Sequence, residues 1–323
     1  MKFQIKRIPF SLIDLEDSRY LFSFYDEGSS LVESIKKRGL FQPVILKYEE
    51  EKKKYIVVSG IKRILASLKL DKRDITAALL DAGISPIESF LINVQDNISS
   101  RSLNVVEKSI ILNKLLVDFN EPEDTVIQKF LPMLSLNPHK KVLEDHLMVF
   151  YLQEDIQMAI IRKNIPIENI TPFKNFETEA REKLINLVIV LNIGLNKAKE
   201  IAEYIEEIHL RDHISPIDII NNVIQRQEYE QLFPKEKVSF IRKQLRLRRY
   251  PNIAEKEKNI EEKIKKLKKT NNIKIAVPAS LEGNRIEFSF QISSPEELSD
   301  IVDFLLEIKE KKELRDILAS LEL

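Results

Sequence analysis

The stretch YIVVSGIKRILASL, residues 55–68, joins a strand pattern to a helix pattern through one glycine, Gly60. Its first half is apolar and rich in β-branched residues, which is typical of a buried strand. Its second half has apolar residues at helical spacing, namely Ile61, Ile64, Leu65 and Leu68. Because the first N–H groups of a helix have no acceptor inside the helix, this junction is where backbone amides could meet a phosphate.

The residues around this junction predict a small mixed α/β domain over residues 1–98. The apolar run on both sides of Pro9 is consistent with an edge strand, because proline lacks the N–H that an inner strand needs. A capping box beginning at Ser30 predicts a short helix that Gly39 can close. Residues 43–48 predict a further strand, which a charged hairpin loop joins to the strand described above.

From about Leu103 the apolar period becomes 3.6 and predicts an all-helical domain over residues 99–233. Helices are expected at about 123–131, 138–149, 153–162, 178–191 and 196–208. Residues 134–137 join two of these helices in a way that is compatible with a helix-turn-helix. The candidates for contact with a DNA groove are the polar residues around the start of its second helix: Asn137, His139, Lys140 and Lys141. An ordinary polar helix start explains them equally well.

Lysine plus arginine and aspartate plus glutamate both total 51, but the charges are segregated along the chain. Residues 235–274 hold fifteen Lys and Arg against five Asp and Glu, a net charge of about +10, and most of them lie in a basic linker or helix over residues 234–270. Five cations stand there without an intervening acid: Arg242, Lys243, Arg246, Arg248 and Arg249. They form either a solvated helix face or a site for DNA phosphates.

Residues 271–323 predict two strands and a helix, so the fold class of the whole chain is α+β. A turn at residues 282–284 precedes a strand in which Ile286, Phe288 and Phe290 alternate with polar residues. A capping sequence at Ser294 opens a helix whose apolar stripe contains Leu298, Ile301, Val302 and Leu305. Since so small a unit buries its apolar faces poorly, we expect these seven apolar residues to form a homodimer interface.

Composition excludes several classes of function. The chain has no cysteine, which removes disulfides, thiolate nucleophiles and cysteine metal sites. Only six glycines are present, and no glycine-rich phosphate loop of the Walker or Rossmann type can be found. The four histidines lack the spacing of a metal site, so no metal ligands and no catalytic residues are assigned. The absence of a long apolar run and of a signal-peptide pattern predicts a cytoplasmic protein.

Three segments together resemble the ParB family. These are LVESI at 31–35, GLFQPVI at 39–45 and YIVVSG at 55–60, which are similar to the short helix, the G-x-x-QP segment and the strand before the GERRxRA box of the ParB N-terminal domain. DNI at 96–98 and LNVVE at 103–107 look like the stretch that leads into the family's helical DNA-binding domain.

The resemblance implies a dimer associated with the nucleoid that binds double-stranded DNA, takes part in chromosome or plasmid partition and uses CTP with Mg²⁺. By resemblance, together with the phosphate argument at the junction, the nucleotide site contains Gly39, Gln42, Gly60, Lys62, Arg63 and Asn97. Many members of the family also act on a ParA-type ATPase through a short basic N-terminal motif, which this chain lacks.

The chain departs from the family pattern at positions that matter for nucleotide chemistry. In place of the acidic residue of the GERRxR box, this chain has Ile61. Lys62 stands in place of the first Arg of the box, and Leu65 stands in place of its last Arg. In the family, the stretch that corresponds to residues 96–98 reads ENL and is followed, after one more residue, by an Arg. This chain has Ser100 at that position, and Arg101 is the next residue. These changes favour a DNA-binding protein with at most weak CTPase activity. The alternatives are a transcription regulator without nucleotide switching and a nucleotide hydrolase or phosphotransferase built on the N-terminal domain.

Overall fold

The computed structural model describes residues 4–24, 29–267, 273–278 and 285–321. They divide into two compact units, Met1–Leu195 and Asn196–Leu323. Each unit has its own hydrophobic core. Within the described ranges, every helix is too short or too polar to cross a lipid bilayer.

A five-stranded sheet opens the first unit. Its strands are β1 (Gln4–Pro9), β2 (Ile13–Asp14), β3 (Val44–Glu49), β4 (Lys54–Ser59) and β5 (Asp74–Leu80). Their order across the sheet is β1-β5-β3-β4-β2, so the strand that ends at Pro9 lies at an edge, as the sequence predicts. β3 pairs antiparallel with β4 and parallel with β5.

Strand β5 has no counterpart among the predicted strands. Its sequence, DITAALL, contains two alanines and lacks a clear alternation of polar and apolar residues. None of its side chains is exposed, and strands that are covered on both faces carry a weak periodic signal.

Two short helices accompany the sheet: α1 (Ser29–Arg38) and α2 (Ile61–Leu68). α1 begins at Ser29, so Ser30 lies inside the helix and not at the predicted cap position. Gly39 closes α1 as predicted, with a φ of +78° and an N–H that donates to the carbonyl of Ile35 at 3.0 Å.

Charged side chains tie the segment after β2 to the β3–β4 hairpin. Lys52 lies 2.9 Å from both Asp14 and Asp17, and Arg19 pairs with Asp17 as well. Burial alone would raise the pKa of Asp17, but hydrogen bonds from Arg19 and Lys52 outweigh it and lower the pKa from 3.8 to about 2. This clamp fixes the chain just before Leu21, which reaches the cleft described below.

The rest of the first unit is helical, with α3 (Pro86–Ser100), α4 (Val105–Val117), α5 (Glu123–Thr125), α6 (Leu131–Met133), α7 (Lys140–Phe150), α8 (Glu154–Arg162) and α9 (Thr178–Leu191). The predicted ranges 138–149, 153–162 and 178–191 each agree with one of these helices to within two residues.

A π-helical turn, Val126–Phe130, joins α5 to α6, so the helix predicted at 123–131 is not a regular α-helix. The N–H of Leu131 bonds to the carbonyl of Val126, five residues earlier, and Pro132 follows with no N–H to donate. In the turn between α6 and α7, Ser135 has a φ of +57°. This is the left-handed conformation that glycine adopts at least cost.

The second unit begins with five helices, α10 (Leu195–Asp212), α11 (Pro216–Ile224), α12 (Gln227–Glu230), α13 (Pro234–Arg249) and α14 (Pro251–Leu267). α10 extends the predicted range 196–208 at its C-terminal end. Of the two alternatives for residues 255–269, a charged helix or a linker, the structure has the helix over the part that it describes.

The C-terminal part contains β6 (Ile273–Ala276), β7 (Glu287–Phe290), α15 (Pro295–Lys309) and α16 (Lys312–Leu321), so one helix more than predicted is present. β6 and β7 are antiparallel, and the turn predicted at 282–284 lies outside the described residues. The hydroxyl of Ser294 accepts the N–H of Glu297, which caps α15 as predicted.

The predicted dimer residues fall into two groups. Ile301 is buried in this chain's own core, and Ile286, Phe288 and Leu305 pack partly against that core. The core also contains residues of α14 and α16. These helices cover part of the apolar surface that we expected a second copy of the chain to cover. The second group stays exposed: Phe290, Leu298 and Val302.

Candidate functional site

A cleft of about 300 Å³ lies at the N-terminal end of α2 in the first unit. Strand β4 ends at Ser59, and Gly60 turns the chain into α2. The C-terminal half of α3 supplies the facing polar residues, of which Asp96 and Asn97 are two. Side chains from the segment after β2, from α1 and from the loop before β3 complete the lining: Leu21, Ser23, Leu31 and Gln42.

Gly60 is required at this turn for two independent reasons. Its φ is +96°, in the left-handed region that other residues rarely adopt. A Cβ at this position would also lie 2.8 Å from Cγ1 of Val44 and 3.0 Å from Nε of Arg63. Glycine has no side chain that could cap α2, and the first N–H groups of a helix find no acceptor within the helix itself. The turn therefore offers backbone donors and the positive end of a helix dipole to the cleft.

Arg63 ties α2 to the loop before β3. Its Nη1 donates to the carbonyl of Pro43 at 2.8 Å and to the carbonyl of Gln42 at 3.1 Å. Its Nη2 lies 3.5 Å from Oδ2 of Asp96. Burial lowers the pKa of Arg63, and the carboxylate of Asp96 opposes this shift. The side chain is only 17% exposed, so Arg63 forms the inner wall of the cleft.

Polar side chains of α3 form a connected network on the opposite wall. Asp96 accepts a 2.5 Å hydrogen bond from the hydroxyl of Ser59, at the end of β4. Nδ2 of Asn97 donates to the side-chain oxygen of Asn93 at 2.8 Å, and Asn93 in turn donates to the carbonyl of Tyr20 at 2.7 Å. These bonds hold the amides in one orientation, which favours a cleft that is already formed before a ligand binds.

Arg101 lies at the end of α3, where it lines the cleft and pairs with Glu107 of α4. The two guanidinium nitrogens lie 2.6 and 2.8 Å from the two carboxylate oxygens. Glu107 is almost fully buried and also forms the capping box of α4 with Asn104. Because Arg101 is held in this way, it does not simply replace the arginine that the resemblance places at Ser100.

Five of the six predicted nucleotide residues meet in the cleft: Gln42, Gly60, Lys62, Arg63 and Asn97. Gly39 does not line it and closes α1 instead.

Other lining residues were not predicted, among them the polar residues Ser59, Asn93, Asp96 and Arg101. The sequence does contain a signal for two of them. Asn93, Asp96, Asn97 and Ser100 are spaced three or four residues apart, which places them on one face of a helix.

In the described part of the chain, no three side chains of His, Cys, Asp or Glu are grouped so that they could hold a metal ion. Among the described residues that line the cleft, one has a carboxylate, namely Asp96. One carboxylate is enough for Mg²⁺ only where phosphate oxygens supply further ligands.

The predicted groove residues Asn137, His139, Lys140 and Lys141 are all exposed, at the turn before α7 and at its start. Nζ of Lys140 lies 3.0 Å from a carboxylate oxygen of Glu123, and this hydrogen bond raises the pKa of Lys140. Part of the positive charge at this helix start is therefore already balanced.

The basic residues predicted for phosphate contact lie on α13, in the second unit. Three of them pair with acids of α10: Arg242 with Glu200, Arg248 with Asp212 and Arg249 with Glu207. Lys243 is exposed and Arg246 is half-buried. The local sequence shows the positive charge of this helix but not the carboxylates that face it, which lie 36 to 42 residues earlier.

We expect Gly60→Ala to lower the free energy of unfolding by about 3 kcal/mol, because the new methyl group meets both an unfavourable φ and the side chain of Val44. Gly39→Ala is the matched control, since Gly39 also has a positive φ but no described atom beyond its chain neighbours lies within 4 Å of the place that its new methyl group would take. The control should cost about 1 kcal/mol. Urea unfolding of both variants measures the difference, and equal losses would contradict the steric role of Gly60.

Comparison with known proteins gives a match between residues 2–93 and the family model of the ParB N-terminal domain. A nucleoid occlusion protein of Oceanobacillus iheyensis is 22% identical over 51% of this chain and 55% of its own length. The nucleoid occlusion protein of Bacillus licheniformis is 22% identical over 62% of this chain and 68% of its own length. The chain thus matches little more than half of the first relative.

Among solved structures, the C-terminally truncated chromosome-partitioning protein ParB from Caulobacter crescentus, complexed to the centromeric parS site, is 12% identical. The match covers 61% of this chain and 98% of that chain, with a TM-score of 0.39. The family model covers the sheet, the turn at Gly60 and the first half of α3, but it ends before the cleft residues Asp96 and Asn97. Residues 2–93 thus match the ParB N-terminal domain, and the chain resembles the ParB-like family through that domain.

Proposed function

We propose that this chain is a DNA-binding protein that binds CTP in the cleft at the start of α2. The observation that carries the proposal is the turn at Gly60, where a helix start opens onto the cleft and no side chain can be added. Such a turn lets a phosphate approach backbone N–H groups closely. The cleft volume of about 300 Å³ is at the lower end of the range for small-molecule sites.

The lining residues fit a nucleoside triphosphate. The first-turn amides and the ammonium group of Lys62 are donors for phosphate oxygens, while Arg63 holds Gln42 and Pro43 in place and defines the wall. Asn97 and Ser100 supply polar groups for a sugar or base. Mg²⁺ bound together with a triphosphate would neutralise phosphate charge, and Asp96 is the carboxylate available to it.

Binding without efficient hydrolysis is the function we propose for the cleft. Ile61 occupies the position where the resemblance places an acid, so an apolar side chain stands at the start of α2. Hydrolysis of a phosphoanhydride requires a group that orients the attacking water and cations that neutralise the developing charge. The assembly described above provides few such groups beyond Lys62 and Asp96.

We expect Lys62→Ala to weaken CTP binding about tenfold, because one charge-assisted contact to phosphate is lost. Lys69→Ala is the matched control, since Lys69 is exposed at the other end of the same helix and does not line the cleft. Isothermal titration calorimetry with each nucleoside triphosphate, with and without DNA, measures both variants. No heat with CTP at millimolar concentration would contradict nucleotide binding, and equal losses in the two variants would contradict the proposed place of the phosphates.

The DNA-binding half of the proposal places the protein in DNA partition or nucleoid occlusion, the process for which its relatives are named. The exposed turn and helix start at Asn137, His139, Lys140 and Lys141 are the proposed groove contacts. Phosphate contacts from the basic residues of α13 would add binding that is independent of sequence and sensitive to salt.

A second candidate function is a DNA-binding regulator that does not respond to nucleotide. It is favoured by the internal pairing in the cleft, where Asp96 already stands beside Arg63 and Glu107 already holds Arg101. A bound triphosphate would bring more negative charge close to Asp96. The calorimetric titration separates the two candidates, because the regulator requires DNA binding without CTP binding.

We also propose that the chain forms a homodimer through α15 and β7. Leu298, Val302 and Leu306 lie at intervals of four residues on α15, and they are 41%, 47% and 60% exposed. Phe290 and Ile292 add exposed apolar surface at and just after β7. This stripe lies beside the buried stripe that contains Ile301 and is typical of a face that another chain covers.

We expect Val302→Asp to convert the dimer into a monomer, because a buried, unpaired carboxylate would be left at the centre of the interface. Asp300→Asn is the control, since Asp300 is exposed on the same helix but lies two residues from Val302 and so on the opposite face, away from the apolar stripe. Light scattering coupled to size-exclusion chromatography gives the mass of each variant. A wild-type monomer, or a Val302→Asp variant that stays dimeric, would contradict this interface.

A further inference from the structure

The acidic and basic segments of the second unit lie side by side in the fold. Residues 200–234 contain eight acids and two Lys or Arg, whereas residues 235–274 have a net charge of about +10. Acids of α10 are paired with arginines of α13, so the two segments balance each other within one unit. The surface that the sequence offers to DNA phosphates is thus already occupied by carboxylates.

The pairing is regular along both helices. Nη2 of Arg242 lies 2.6 Å from Oε2 of Glu200, and Arg249 pairs with Glu207. Seven residues separate the two acids and seven separate the two arginines, which is about two helical turns in each case. The pairs therefore form one seam, here called the charge seam and defined as Glu200, Glu207, Arg242 and Arg249.

Further contacts hold the C-terminal end of α13 near α10. Nη1 of Arg211 donates to the carbonyl of Arg249 at 2.7 Å, and Nη2 donates to the carbonyl of Arg248 at 2.9 Å. The guanidinium of Arg249 stacks on the rings of Tyr204 and Tyr250, with 5.0 and 4.7 Å to the ring centres. The hydrogen bonds from Arg211 and the contact with Tyr250 do not involve the two glutamates of the charge seam.

Carboxylates and phosphates compete for the same donors, because a guanidinium binds either anion through a pair of parallel N–H···O bonds. We propose that α10 is an internal competitor of DNA at the basic face of α13, so that DNA binds there only when the charge seam opens. The inference rests on the proposed DNA binding of this chain and adds a device that limits it. Ion pairs that are partly exposed, as these are, contribute little to stability and can be exchanged for a polyanion.

The test compares two double variants with the same change in net charge. Glu200→Gln with Glu207→Gln removes both acids of the charge seam, and the glutamine oxygens can still accept hydrogen bonds, including the one that Tyr204 donates to Glu200. Glu203→Gln with Glu206→Gln is the control, since both residues are exposed on α10 and outside the charge seam. Thermal unfolding followed by circular dichroism confirms that each variant is folded before DNA is added.

Fluorescence anisotropy with a 30-base-pair random-sequence duplex at several salt concentrations is the measurement. We expect the seam variant to bind at least fivefold more tightly than the wild type, with a dependence of log K on log salt that is steeper by up to about two. The control variant should show a smaller gain and an unchanged slope. Equal gains in the two variants, or no gain in the seam variant, would overturn the inference alone. If neither the wild type nor any variant bound DNA, the proposed DNA-binding function would be overturned as well.

Discussion

The backbone conformation of Gly60 is the constraint on which the rest of the N-terminal domain depends. Its φ of +96° turns strand β4 into helix α2 within one residue, and the space where a side chain would stand is filled by Val44 and Arg63. This turn sets the direction of α2, and with it the position of the first-turn amides. It also brings Arg63 back over the loop before β3, so that sheet, loop and helix are joined at one point.

The polar groups around that turn are largely satisfied by one another. Arg63, Asp96 and Ser59 form one connected set, and Asn97, Asn93 and the carbonyl of Tyr20 form another. Buried polar groups that are fully paired make a site rigid, whereas an unpaired one is costly. A cleft of this kind does not have to be assembled when a ligand enters, which reduces the entropic cost of binding.

Local pattern was sufficient to predict much of the fold. The alternation or β-branched character of β3, β4 and β7 and the helical spacing of α7 to α10 predicted these elements. The resemblance together with the junction at Gly60 predicted five of the residues that line the cleft. β5 was not predicted because none of its side chains is exposed and its sequence has no clear period. The acidic partners of the basic residues of α13 were not predicted, because ion pairs between distant segments cannot be recognised from the neighbouring sequence.

The two units thus differ in where their charged side chains lie and in what these side chains pair with. In the first unit, a few charged groups are buried around a cleft and orient its walls. In the second unit, many charged groups lie at the surface and pair across two helices. The formal net charge of zero is the sum of these arrangements and does not describe either of them.

The central claim is that the start of α2 is the phosphate-binding end of a nucleotide site. Hydrogen–deuterium exchange measured with and without CTP and Mg²⁺ tests it most directly. The account predicts that CTP slows exchange in the peptide that contains the amides of Ile61, Lys62 and Arg63, because their N–H groups would then donate to phosphate oxygens. Unchanged exchange in that peptide at a saturating concentration of CTP would contradict the account.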